Sequence, residues 1–338
     1  MSKIAVIGAG AWGTALGALL ADNGHQVELW FFDQEALVQF QETKVNPFLP
    51  GVELAKLSAS ADLQAVVSGA ELLLLATPCQ ALSALLAQLT ELVMPEQIIV
   101  NAAKGLVLPE GKLPLDLIKE FLPANKLVVL SGPSFAAEVV EKKVTMVTVA
   151  GEDTETVTRV QNIFAASYFR PYASYDIVGV QVGGALKNVI AIGAGIVDAL
   201  DGGMNIKAAL LSRGLKEIAR FGMKLGAIKE TFFGLSGLGD LFLTMNSAQS
   251  RNYNFGYELG SGKDKSEVLR HDSGQVLGIH GVVEGYYTTQ AVVKKAAELG
   301  VEMPITQAIY EILYQGRGAR EVIDELMSRE LKTEFNNF

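Results

Sequence analysis

Short apolar runs and amphipathic stretches alternate over residues 1–130. Lys3–Ile7 (KIAVI) predicts a buried strand, followed by a glycine-rich turn and an amphipathic helix over about Trp12–Asn23. Gln26–Trp30, Glu71–Ala76, Gln97–Asn101 and Lys126–Leu130 predict further strands, each bounded by turn residues. Helical spacing falls around Ala81–Glu91 and Pro114–Phe121. Near-continuous apolar strands separated by helices imply a parallel sheet covered on both faces. From Leu57 to Ala103 there is no Lys, Arg or His, which fits a mostly buried stretch. Thr145–Ala150 and Phe169–Tyr172 are candidates for two more strands of the same sheet.

Near residue 175 the texture changes. Helical spacing dominates downstream, over Gly183–Ala199, Ile206–Phe221, Thr288–Leu299, Pro304–Tyr314 and Ala319–Met327, with glycine-rich junctions at Asp201–Gly203 and Gly234–Asp240. The polar segment Gly260–Ser273 reads as an exposed loop. The expected architecture is therefore an α/β domain over residues 1–175 and an all-α domain over 176–338, a division that the length of 338 residues also favours.

Composition narrows the function classes. With 49% hydrophobic and 19% charged residues the chain can bury a large core, which excludes disorder. A net charge of −9 argues against a nucleic-acid partner. Cys79 is the single cysteine, so a reducing compartment is the simpler setting. The N-terminus, MSKIAVIGAG, lacks the order of a secretory signal. Apolar stretches such as Leu72–Ala76 and Val189–Val197 are shorter than the roughly 20 residues a membrane span needs. A cytoplasmic protein without stable membrane insertion is expected. His25, His271 and His280 show no metal-ligand spacing, so no metal site is predicted.

The first chemical signal is Gly8-Ala-Gly10-Ala-Trp-Gly13, which follows the first strand and opens a helix. In that context the glycines permit a tight turn, close approach of a pyrophosphate, and close helix–strand packing. Backbone N–H groups at the helix start then face the anion. After the second strand the chain runs Trp30-Phe31-Phe32-Asp33, with no basic side chain before Lys44. On charge alone this leans to NAD, because an acid there suits a free ribose 2′-hydroxyl.

Three constellations stand out as candidate chemistry. Asn101–Leu106 (NAAKGL) puts Lys104 at the carboxyl end of a strand, where ligands of open α/β sheets bind; a solvated loop lysine fits these residues equally. In Leu130–Ala136 (LSGPSFA), Ser134 reads either as a helix cap, with Glu138 in the first turn, or as part of an anion or cofactor contact. In Gly183–Asn188 (GGALKN), Lys187 lies in a small, apolar helical run with no other charge nearby. A lysine is expensive to bury among such residues, and burial favours acid/base use over a surface role. Asp240, at the end of GLSGLGD, reads as a helix cap or as a partner that orients Lys187. Ser250-Arg251-Asn252 supplies a hydroxyl, a guanidinium fork and an amide, a set suited to phosphate. Glu284 precedes another helix, where capping and cofactor contact both fit.

GAGAWGTALG, NAAKGL, LSGPSFAAEV, GGALKNVIAIGAGI, GLSGLGDLFLT, SRNYNFG and VEGYYT, in that order and spacing, closely resemble the NAD(P)-dependent glycerol-3-phosphate dehydrogenases of the bacterial type, from Ile4 to about Leu326. The resemblance implies a Rossmann-type N-terminal domain and a helical C-terminal domain like that of 6-phosphogluconate dehydrogenase. It also implies reversible reduction of dihydroxyacetone phosphate to sn-glycerol 3-phosphate for glycerophospholipid synthesis, with NAD or NADP as cofactor. Matched motif by motif, Lys187 resembles the general acid/base, and Lys104 a contact to both cofactor and substrate. Gly132, Ser134, Asp240, Ser250, Arg251 and Asn252 match substrate positions. Gly8, Gly10, Ala11, Trp12, Gly13, Phe32, Ala136, Arg251, Val282 and Glu284 match cofactor positions. One departure stands out: bacterial members often carry Arg or His just after the second strand, whereas Phe31-Phe32-Asp33 resembles the aromatic-then-acid pattern of NAD-using eukaryotic relatives.

Two other readings keep parts of this picture. A related 3-hydroxyacid, ketopantoate-type or 6-phosphogluconate-type dehydrogenase would share the fold, but would not specifically require the phosphate-suited Ser250–Asn252 set. A non-catalytic NAD(H) sensor would need no acid/base at Lys187. The expected partner is a small phosphorylated substrate, and the glycine-punctuated helices of the second domain suit a homodimer.

Overall fold

The computed structural model describes the chain apart from Asp264, Ser273, Gly274, Ile279, His280, Lys332 and residues 335–338; for Lys265, Ser266, 270–272, 275–278 and Gly281 it describes the backbone alone. His271 and His280, two of the three histidines without metal-ligand spacing, therefore lie outside the described side chains.

Eight segments form one sheet: β1 (Lys3–Ile7), β2 (Gln26–Trp30), β3 (Ser58–Ser60), β4 (Leu72–Leu75), β5 (Ile98–Asn101), β6 (Lys126–Ser131), β7 (Thr145–Gly151) and β8 (Phe169–Ser174). Their order is β3-β2-β1-β4-β5-β6-β7-β8. Neighbours run parallel except β6 and β7, which are antiparallel. The apolar runs become central strands because both of their faces are covered. Ile4 and Val6 on one side of β1, and Ala5 and Ile7 on the other, are all fully buried. The sequence pattern did not single out β3, since Ser-Ala-Ser pairs at the sheet edge without an apolar run of its own.

Helices Ala11–Asp22, Gln34–Thr43, Leu63–Val67, Leu82–Leu89, Pro114–Phe121, Ala136–Val140 and Thr154–Phe164 cover the sheet. Two of these, Gln34–Thr43 and Thr154–Phe164, have narrow apolar stripes that hydrophobic periodicity passes over. Their starts are nonetheless marked by capping acids: Asp33 accepts from the Ala36 amide and Asp153 from that of Thr156.

Residues Met1–Lys104 with Leu113–Val180 form one compact unit, and Gly105–Lys112 with Gln181–Phe338 form the other. The second unit is built on helices Ile177–Ala199, Gly203–Lys224, Asp240–Met245, Arg251–Gly260, Glu284–Leu299, Pro304–Gln315 and Ala319–Ser328. Ile177–Ala199 is 23 residues long and apolar enough to cross a membrane, but 89% of its most apolar window is buried inside the protein. It is a core helix that starts six residues before the predicted span Gly183–Ala199. The helical unit also carries a small antiparallel sheet, β9 (Arg270–Asp272), β10 (Gln275–Gly278) and β11 (Gly281–Val282). Gly260–Ser273 is therefore not a plain exposed loop. It contains the short helix Lys265–Val268, and Val268 and Leu269 are buried in the core.

Candidate active site

In the first unit, the candidate positions gather at the carboxyl ends of the neighbouring parallel strands β1, β4, β5 and β6. The turn after β1 has Gly8 at φ +112°, a conformation open mainly to glycine. At Gly13 an added Cβ would lie 2.0 Å from the Gly8 carbonyl oxygen, so only glycine lets the helix start this close to the strand. At Gly10 the same test meets nothing within 4 Å: that side of the turn is open. Gly10 caps helix Ala11–Asp22 without any side-chain hydrogen bond, so no side chain competes for the N–H groups around Ala11 and Trp12. Asn46, which the sequence reading missed, braces the turn. Its buried amide donates to Ala9 O at 2.9 Å and to Thr14 Oγ1 at 2.7 Å.

Buried polar atoms near this edge have no partner among the described residues: Trp12 Nε1, Thr77 Oγ1 beyond β4, and Ser131 Oγ at the end of β6. Such atoms are costly to bury unless a ligand or water satisfies them. Together with the open Gly10 turn they fit a dinucleotide. Beyond β2, Phe32 is 79% exposed and meets Trp30 edge-on, with ring centroids 6.1 Å apart. The Asp33 carboxylate serves as a helix cap, accepting from the Ala36 amide at 3.0 Å.

Beyond β5 and β6, Lys104 Nζ donates to the Gly132 carbonyl at 2.8 Å, and Ser134 Oγ donates to the same oxygen at 3.0 Å. The fold thus brings Lys104, Gly132 and Ser134 together across adjacent strands. The capping reading of Ser134 is corrected: Phe135 is the N-cap of helix Ala136–Val140 and makes no side-chain capping bond. Ser134 is spent on the loop carbonyl two residues back, a local bond that competes with capping.

In the second unit, Lys187 sits mid-helix on Ile177–Ala199 and forms an ion pair with Asp240, the first residue of helix Asp240–Met245. Asp240 is fully buried and Lys187 only 8% exposed. Lys187 Nζ also donates to Thr244 Oγ1 at 2.9 Å, and that hydroxyl donates to the Asp240 carbonyl at 2.6 Å. The amine is held by two acceptors one helical turn apart, so its position is set by packing and not by a flexible side chain. Thr244 was missed, although its i+4 spacing from Asp240 in GLGDLFLT is a readable signal. Gly183 makes the approach possible, for a Cβ there would lie 2.4 Å from the Ser236 carbonyl oxygen.

Helix Arg251–Gly260 is capped by Ser250, whose Oγ accepts from the Tyr253 amide at 3.2 Å. The Asn252 side chain donates to Asn188 Oδ1 at 3.0 Å and accepts from the Gly285 amide at 2.8 Å. It thereby ties together the helix of Lys187, its own helix and the start of Glu284–Leu299. Asn188, a third residue missed, adjoins Lys187 in sequence. Arg251 reaches solvent, yet protein packed around its flanks lowers its pKa, while the Glu284 carboxylate raises it. Glu284 lies in the first turn of its helix, where a carboxylate complements the positive end. Val282 ends β11 just before it. Among the described residues no cluster of three or more His, Cys, Asp or Glu could hold a metal ion.

Strand order 3-2-1-4-5-6, the open glycine turn and a paired lysine in a helical second unit define the class: a Rossmann-type, dinucleotide-dependent oxidoreductase. Models of the NAD-dependent glycerol-3-phosphate dehydrogenase family match over residues 3–157 for its N-terminus and 176–324 for its C-terminus. The chain belongs to that family. It is 43% identical to a glycerol-3-phosphate dehydrogenase [NAD(P)+] of Geobacter metallireducens, covering 98% of each chain. It is 44% identical to one of Geobacillus kaustophilus, over 100% of this chain and 97% of the relative. Among solved structures, glycerol-3-phosphate dehydrogenase of Coxiella burnetii superposes with a TM-score of 0.91 at 34% identity, covering 97% of this chain and 99% of that one.

Proposed function

We propose that this protein catalyses the reversible NAD(P)H-dependent reduction of dihydroxyacetone phosphate to sn-glycerol 3-phosphate, feeding glycerophospholipid synthesis. The observation that carries this reading is the buried Lys187–Asp240–Thr244 arrangement in a chain of this family. Residues 1–175 bind the dinucleotide, and residues 176–338 supply most substrate contacts and the chemistry. The cofactor is held by Gly8, Gly10, Ala11, Trp12 and Gly13 at the pyrophosphate, by Phe32 at the adenosine end, and by Lys104, Ala136, Arg251, Val282 and Glu284. When bound, the nicotinamide supplies the hydride that reaches the substrate carbonyl carbon.

Lys187 donates a proton to the carbonyl oxygen as negative charge develops there, and takes one back from the hydroxyl in the reverse direction. Asp240 and Thr244 hold Nζ in place for both. Arg251, with Ser250 and Asn252, takes the phosphate; its charge offsets a dianion that a protein of net charge −9 would otherwise repel. Lys104, Gly132 and Ser134 are the substrate contacts contributed by the first unit. The protein works in the cytoplasm without membrane insertion, takes no nucleic acid, and forms a homodimer, an assembly that analytical ultracentrifugation tests. The decisive assay follows NADH and NADPH oxidation in parallel with dihydroxyacetone phosphate. Rapid turnover with either cofactor supports the reading, and tight cofactor binding without turnover overturns it.

A further inference from the structure

The direction in which helix Arg251–Gly260 starts sets where the Arg251 guanidinium and the first-turn amides point. Helix Ile177–Ala199 holds it at three levels. Asn252 bonds Asn188, as described. The two backbones touch: an added Cβ at Gly195 would lie 2.0 Å from the Tyr253 carbonyl oxygen, and one at Gly256 would lie 2.0 Å from that of Ile192. The third level is the Tyr253 side chain, whose hydroxyl donates to Asp198 Oδ2 at 2.6 Å. Lys207 Nζ donates to the same oxygen at 2.7 Å and lies 5.6 Å from the centre of the Tyr253 ring. Lys207 therefore balances the Asp198 charge and grips the ring face at once. Burial and the Asp198 carboxylate both push the phenol's pKa up, so it remains a donor at neutral pH. The Tyr253 amide, meanwhile, bonds the capping Ser250 hydroxyl.

We propose that Tyr253, clamped by Asp198 and Lys207, is a positioning residue that aims the Ser250–Asn252 turn at the substrate phosphate. This rests on the reading of that turn as the phosphate contact. Its signature is selectivity: loosening the clamp harms recognition of the phosphate and leaves the hydride and proton steps alone.

The test compares wild type with Tyr253→Phe, using dihydroxyacetone phosphate and unphosphorylated dihydroxyacetone as substrates. For Tyr253→Phe, kcat/KM on the phosphorylated substrate should fall about tenfold, chiefly through KM. On dihydroxyacetone it should change by less than about twofold. Asp198→Asn keeps an acceptor for the phenol and should stay closer to wild type than Tyr253→Phe. Equal losses on both substrates would make Tyr253 merely structural, and no loss on either would make the clamp idle; both outcomes overturn the proposal. A wild-type protein that turns over neither substrate would instead defeat the functional reading itself, before any variant is compared.

Discussion

The glycine edge of the first unit and the lysine centre of the second solve opposite problems. At the edge, polar groups are left open: Gly10 faces nothing within 4 Å, Trp12 Nε1, Thr77 Oγ1 and Ser131 Oγ have no partner among the described residues, and Phe32 stands exposed. At the centre, the polar groups are mutually engaged. Lys187 holds Asp240 and Thr244, and Asn252 holds Asn188 and Gly285. A binding surface for a large cofactor keeps its donors unsatisfied until the ligand arrives, at a cost in stability of the empty protein. A proton-transfer centre must hold its reactive atom still before the substrate comes, and buried pairing does that.

The sharpest way to break this contrast is at Lys187. Lys187→Ala should lower kcat by about 10²–10⁴ while leaving NADH affinity, read by fluorescence titration, near wild type. It also removes the ammonium that balances the fully buried Asp240 carboxylate, so unfolding free energy should drop by about 3–5 kcal/mol in a denaturant titration. Unchanged turnover would sink the acid/base assignment.

The open edge invites a milder change. Between Phe31 and Thr43 there is no basic side chain, and Lys44 is turned over the Phe40 ring, 5.6 Å from its centroid. The Asp33 carboxylate remains at the end of β2 even though it caps a helix. This segment offers a 2′-phosphate no cation of its own, so wild type should prefer NADH. Phe32→Arg should move the ratio of kcat/KM values about tenfold towards NADPH. A wild-type preference for NADPH would show that another part of the edge selects the cofactor.

The comparison is sharpened from a third place through stability alone. Glu217 is buried in the second unit and accepts from the Ile305 amide at 2.6 Å, and from the Thr306 amide and hydroxyl at 3.0 Å each. Burial pushes its pKa up to about 7, against the opposing pull of those bonds and of the Arg220 charge. A carboxyl raised in the folded state favours the protonated fold, so its contribution is complete below the unfolded value and is lost as pH rises through about 7. Between about pH 5 and about pH 8, wild type should lose ~2 kcal/mol relative to Glu217→Gln. Parallel pH profiles for the two proteins would refute this.

Much of this was legible in the chain. β1 and β2 coincide with the runs that predicted them, and helix Pro114–Phe121 with its predicted span, because each carries an apolar pattern of the right period between turn residues. The spacing of Gly8, Gly10 and Gly13 declared a tight turn, one in which Gly8 and Gly13 are required by backbone conformation and close packing. Lys187 was conspicuous because a charge in an apolar helix demands a reason. Less was readable where the signal is short or borrowed. β3 and the β9–β11 sheet are made of runs too brief to be periodic, and the sequence left Ser134 open between a helix cap and a ligand contact, where the structure has it on a neighbouring carbonyl.

What the sequence by itself determined, then, is the set of elements and the residues with unusual demands: glycines that must turn, a lysine that must be paired, an arginine fork set to meet an anion. Local sterics and burial act over a few residues, so those demands are written in neighbouring positions. Only the tertiary structure decided the partners. It put Asp240 and Thr244 on Lys187, Asn252 on Asn188, Asp198 and Lys207 on Tyr253, and Asn46 under the glycine turn. These pairs lie from 37 to 64 positions apart in the chain. No local rule reaches that far, because which helix faces meet is settled by close packing of the whole core, down to a single absent Cβ at Gly183 or Gly195.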